Sequence, residues 1–230
     1  MLNPLSGPRW KIYSDGGATD TEYFRLLYQD AGVLYEENSD PDKLKDLFEN
    51  GSVSGWPCLR PPMIERIEGL HISESDAICK FLAKQFGMVP PTPLDEAKAD
   101  QVFYEARAMD AAIRQCAGGD DEAGAGGVAA KFLPHFEAVL KSNRGGSGLY
   151  VASMKPSHGD FALLHALRML QHRFPDVWAS SSADLELLRN FKGRMESRPK
   201  LAAYFKSDAY KPPFEGYPKP EPEPAPAEEG

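Results

Sequence analysis

Six residues, Met88-Val89-Pro90-Pro91-Thr92-Pro93, divide the patterning of this chain in two. Their three prolines stop the preceding helix and stiffen the backbone, so the stretch reads as a linker. Strand-like runs lie before it and none after it. Upstream, residues 11–14 form a short half-apolar run ending in Asp15-Gly16-Gly17, a turn. Phe24, Leu27, Tyr28 and Ala31 then recur at helical spacing up to a stop at Gly32. Residues 33–37 alternate like a second strand, and residues 41–50 predict a short amphipathic helix with Leu44, Leu47 and Phe48 on one face. Residues 61–67 and 70–72 read as two strands paired about Glu68-Gly69. Ser73 or Ser75 then caps a helix with Ile78, Phe81 and Leu82 inward and Gly87 as its stop.

Downstream the periodicity is helical throughout. Residues 94–116 and 128–142 predict two long helices. Ser157-His158-Gly159-Asp160 opens a third, with Leu163, Leu167 and Leu170 on one stripe. Leu188, Phe191 and Met195 mark another, and Pro199 starts a short one. The glycine-rich residues 117–127 are expected to form a mobile loop, because glycine is a poor helix interior. The boundaries that follow are an N-terminal extension (1–9), an α/β domain (10–87), the linker (88–93), an all-helical domain (94–210) and a disordered Pro- and Glu-rich tail (211–230).

Composition narrows the function classes. With 42% hydrophobic and 10% aromatic residues among 230, there is ample material for packed cores. No apolar run approaches the roughly 18 residues of a membrane-spanning helix, and the first residues lack a secretory pattern, so a cytoplasmic location is expected. A net charge of -8 argues against nucleic acid or an anionic membrane as partner. Cys58, Cys79 and Cys116 are odd in number and widely spaced, which excludes a disulfide scaffold and a cysteine-rich zinc module. The five histidines show no HxxxH or HExxH spacing, so no metal site is expected.

The most informative stretch is residues 61–87. Pro62 opens a strand, where it cannot donate to a ladder, so it is an edge or a cis-proline. A hairpin follows, then Glu74-Ser75-Asp76-Ala77-Ile78 at a helix N-terminus. Exposed N–H groups, the positive helix end and a serine hydroxyl make a carboxylate site there. A serine in that place can equally do no more than cap its own helix.

The order of these features resembles the glutathione-binding half of the glutathione S-transferase superfamily. Its Pro-Val-Leu-Glu and Gln-Ser-x-Ala-Ile correspond to Pro62-Met63-Ile64-Glu65 and Glu74-Ser75-Asp76-Ala77-Ile78. Ser157 and Asp160 resemble the capping box of the family's core helix, and Pro199-Lys200-Leu201-Ala202-Ala203-Tyr204 its closing Pro-x-Leu-x-x-Tyr. Glu22 and Arg25, with residues 31–37, resemble the tyrosine-type, sigma-like classes. The resemblance spans about residues 10 to 215.

It implies a thioredoxin-like α/β domain followed by an all-α domain, with glutathione as cosubstrate, a hydrophobic electrophile as second substrate, no metal and a homodimer. By the same resemblance Pro62 is cis, and the Met63 backbone pairs with the cysteinyl part of glutathione. Ser75 and Glu74 would hold the γ-glutamyl end, and Trp56, Arg60 or Lys43 the glycyl carboxylate. The hydroxyl that activates the thiol falls on Ser14 when aligned without gaps from Glu22 and Arg25, or on Tyr13 with a one-residue insertion. Both stay open. The position of the family's cross-dimer Asp holds Tyr104, beside Glu105. A non-catalytic binding module on the same fold is the competing function.

Overall fold

The computed structural model describes residues 9–16, 20–49, 56–66, 69–143 and 148–212. The expected N-terminal extension, apart from Arg9, and the tail beyond Pro212 lie outside them. Four strands, β1 (Trp10–Tyr13), β2 (Tyr35–Asn38), β3 (Met63–Arg66) and β4 (Leu70–Ser73), form one mixed sheet in the order β2-β1-β3-β4. β1 runs parallel to β2 and antiparallel to β3, and β3 pairs antiparallel with β4. The parallel pair needs a crossover, and α1 (Glu22–Ala31) provides it. Gly32 ends α1 with φ at +70°, a left-handed conformation that suits a residue without a β-carbon. α2 (Pro41–Glu49) lies on the surface, and α3 (Ser75–Gln85) packs with α1 beside the sheet. Ile12, Leu27, Tyr28, Ile64, Ile78 and Leu82 are fully buried between these layers.

Among the described residues the strands stop at Ser73, and the elements after α3 are helices: α4 (Pro93–Gly118), α5 (Glu122–Ser142), α6 (His158–Arg173), α7 (Pro175–Ser181), α8 (Glu186–Glu196) and α9 (Pro199–Tyr204). The expected fold, a thioredoxin-like α/β domain followed by an all-α domain, is the one observed. α6 is the hub, its residues from His158 to Leu167 buried without exception. The Asp160 carboxylate accepts from the Ser157 N–H and hydroxyl, each at 2.7 Å, and from the Val151 N–H at 2.9 Å. This is the capping box expected from Ser157 and Asp160.

Two local expectations differ from the structure. Residues 117–127 are not a loop: α4 continues to Gly118, α5 begins at Glu122, and the break is Gly119-Asp120-Asp121. Asp121 caps α5 by accepting from the Gly124 N–H at 2.8 Å. A β-carbon at position 124 would lie 2.1 Å from that carboxylate, so the glycine makes room for the cap. Burial of Ala125 and Ala129 against the core offsets the roughly 1 kcal/mol that each helical glycine costs. Neither Ser73 nor Ser75 caps α3; the cap position is Glu74, at φ +69°, and Ser75 is the first helical residue. α7, a short helix behind Pro175, has no counterpart among the expected elements.

Candidate functional site

Between the end of β1, the start of α3 and the middle of α4 lies a cavity of about 310 Å³. Asp15 and Asp20 reach it from the β1–α1 segment, and Arg60, Pro61 and Pro62 from the approach to β3. Glu74 and Ser75 face it from the head of α3, and Arg107 from α4. The Pro61–Pro62 bond is cis, as expected for Pro62. Neither proline has a backbone N–H, so this wall offers a ligand carbonyl acceptors alone from those two positions. Met63 is fully buried within the sheet, opposite Tyr13 and Ser73, and does not line the cavity.

The head of α3 carries the clearest sign of a ligand. Ser75 is 4% exposed, and its hydroxyl has no hydrogen-bond partner among the described residues. A buried unpaired hydroxyl costs about 1–3 kcal/mol, a cost that an incoming acceptor removes. The N–H groups of the first helical turn have no partner inside the helix and point the same way. Glu74 holds φ +69° and ψ +118°, a conformation costing on the order of 1–3 kcal/mol for a residue with a side chain. That backbone places its carboxylate on the cavity, where Arg60 meets it with two 3.4 Å contacts. Both side chains are more than half exposed, so the pair adds little to stability and opens readily.

On the opposite side Arg107 bonds the Asp20 carboxylate at 2.7 Å and also holds Asp76, the residue after Ser75. Its guanidinium lies 5.7 Å from the Tyr23 ring centre. Burial raises the Asp20 carboxyl above its ordinary range against the pull of Arg107 and Arg114. Deeper in, Tyr23 donates to Asp110 at 2.6 Å, and Arg114 braces the same carboxylate at 2.7 Å.

The two candidate hydroxyls lie elsewhere. Tyr13 donates to Glu65 Oε2 at 2.6 Å; burial first, then that hydrogen bond, pushes its phenol well above the usual range. Ser14 is fully buried, donates to Glu37 at 2.5 Å and accepts from the Gly16 N–H at 3.1 Å. Glu37 is held in turn by the buried Arg25, which also reaches Glu22 at 3.2 Å. A hydroxyl has one proton to give, and in both cases a carboxylate takes it. Lys211 donates to the Gly16 carbonyl at 2.5 Å, tying the segment after α9 to the same turn.

Of the residues expected at the glycyl end, Arg60 lines the cavity. Trp56 is 74% exposed and Lys43 stands exposed on α2, neither of them on its walls. Sequence reasoning missed Asp15, Asp20, Pro61 and Arg107. Among the described residues no three His, Cys, Asp or Glu side chains converge as a metal site, and no helix is long and apolar enough to cross a membrane.

A small mixed sheet with a cis-proline, facing a polar helix head and backed by a helical domain, defines a two-domain fold with this cavity between the sheet and α4. Residues 120–208 match the family model described as the glutathione S-transferase C-terminal domain. Glutathione S-transferase 1 of Ascaris suum is 30% identical over 76% of this chain and 90% of its own length. S-crystallin SL11 of Nototodarus sloanii is 26% identical over 86% of this chain and 96% of its own. The crystal structure of the glutathione S-transferase from Ascaris lumbricoides superposes with a TM-score of 0.72 at 22% identity, covering 86% of this chain and 96% of that one. The chain belongs to the glutathione S-transferase family.

Proposed function

We propose that this protein is a glutathione-dependent transferase. It binds glutathione in the cavity and adds the thiolate to hydrophobic electrophiles, working as a cytoplasmic homodimer. The observation that carries this reading is the buried, unpartnered Ser75 hydroxyl at the head of α3 beside the strained Glu74. The γ-glutamyl carboxylate would accept from Ser75 and the first-turn N–H groups, and Glu74 would receive the α-amino group. That amino group competes with Arg60 for Glu74 and releases the guanidinium toward the glycyl carboxylate. Hydrogen bonds to charged groups contribute about 1.5–3 kcal/mol, so Ser75→Ala should weaken glutathione binding roughly ten- to hundredfold in calorimetry. Unchanged affinity would reject the site.

A second reading, a glutathione-binding module without turnover, is favoured by one specific observation. The hydroxyls of Tyr13 and Ser14, either of which could activate the thiol, both donate to carboxylates. Retention on immobilised glutathione with turnover of a chromogenic aryl halide supports the enzyme; retention without turnover supports the binder.

A further inference from the structure

We propose that Arg107, on α4, supplies the charge-assisted hydrogen bond that holds the sulfur of bound glutathione as a thiolate; this rests on the reading of the cavity as a glutathione site. Ionisation breaks the S–H bond, leaves the electron pair on sulfur and passes the proton to water at the cavity mouth. The resulting anion needs a donor. Among the described lining residues the side chains with an N–H or O–H to give are Arg60, Ser75 and Arg107, since ionised Asp15, Asp20 and Glu74 can only accept. Ser75 belongs with Glu74 at the end that takes the γ-glutamyl group, and Arg60, once Glu74 takes up the amino group, turns to the glycyl carboxylate. Pro61 and Pro62 have no N–H, and Tyr13 and Ser14 have given their protons away. That leaves Arg107.

Its setting suits the task. A guanidinium has five N–H groups and stays charged across the accessible pH range. Two of the five go to Asp20 and Asp76, which fix the plane from the β1–α1 segment and from α3, while Tyr23 of α1 packs against it. Farther along α4, Arg114 pairs with Asp110 and also reaches Asp20 at 3.9 Å. The remaining N–H groups are on a side chain that is 30% exposed, on the cavity wall. An opposite charge within about 4–6 Å shifts a titration by roughly one to three pH units, and the two carboxylates place the effect at the lower end.

The test is the ultraviolet thiolate band of bound glutathione titrated against pH in wild type, Arg107→Met and Arg107→Lys. Calorimetry of S-methylglutathione, which has no thiol to ionise, runs alongside as a check on the folded site. Arg107→Met should raise the thiol midpoint by roughly one to two pH units while S-methylglutathione affinity stays within about threefold. Arg107→Lys should fall between the two. If Arg107→Met loses S-methylglutathione altogether, Arg107→Lys decides, and a midpoint equal to wild type overturns the proposal. An unchanged midpoint in an Arg107→Met protein that still binds S-methylglutathione overturns it too, as does a raised midpoint in Tyr13→Phe or Ser14→Ala. A wild type that binds S-methylglutathione but shows no depressed thiol midpoint overturns the role of Arg107 alone. One that binds neither ligand overturns the glutathione reading with it.

Discussion

Gly159 lies so close beneath the carbonyl of Ala99 that a β-carbon on it would sit 2.5 Å from that oxygen. The contact is with backbone, so no side chain can swing away. Gly159→Ala should therefore force α4 and α6 apart. The expected loss is about 1–3 kcal/mol, the usual cost of overpacking, read from the urea midpoint. At roughly 2–4 °C per kcal/mol for a chain of this size, the melting temperature should fall with it.

Arg25 is 2% exposed and stands between Glu22 and Glu37. Removing it leaves two carboxylates in a dry setting and frees the partner that orients Ser14 through Glu37. Arg25→Met should cost about 3–5 kcal/mol by chemical denaturation, more than most single substitutions. A loss under 1 kcal/mol would mean that water reaches this network.

The strain at Glu74 gives a prediction with two signs. Glycine adopts φ +69° freely, so Glu74→Gly should raise fold stability by about 1 kcal/mol after glycine's own entropy is deducted. The same change removes the carboxylate that receives the ligand's amino group, and glutathione affinity should fall roughly tenfold or more. Stability and affinity that fall together would show that the conformation serves folding alone.

His165 supplies the pH dependence. Burial pulls its imidazole down to about 4 against the opposing charge of Asp110, and its Nε2 has no partner among the described residues. The unfolded chain titrates near 6.5, so the neutral ring's contribution is complete above that pH. It is lost as pH falls through 6.5 toward 4, at about 3 kcal/mol in all. Asp160 works in the opposite sense. Burial raises it to about 6, so its contribution is complete below the ordinary carboxyl range and is lost as pH rises through 6. The comparison must accordingly be between proteins. His165→Leu should lose about 3 kcal/mol less stability than wild type between pH 7 and pH 4, measured by urea titration at both.

The strand and helix order was legible from spacing, whereas the cis form of Pro62, which the residues left open between an edge and a cis-proline, and the box of Ser157 and Asp160 were legible through the family resemblance. Residues 117–127 misled because local propensity was overridden by packing: Ala125 and Ala129 are buried against helices that the local pattern does not mention. Arg107 was illegible for a different reason. Its partners Asp20 and Asp76 lie 87 and 31 residues away, and only the crossing of α4 over the α/β domain brings them together. The hydroxyls of Tyr13 and Ser14 were visible as candidates. That Glu65 and Glu37 would claim their protons depends on strand pairing and on α1, so it could not be read from the motif.

The bond from Lys211 to the Gly16 carbonyl brings nearly the whole length of the chain back on itself, 195 positions apart in sequence. Gly16 follows Asp15, a wall of the cavity, so Lys211 is held beside the candidate site. An affinity tag or fused reporter joined directly to Pro212 would begin beside that wall and compete with substrate for space. The same placement makes Lys211 a vantage point. A dye attached just beyond Lys211 would sense ligand entry through a contact the protein already makes.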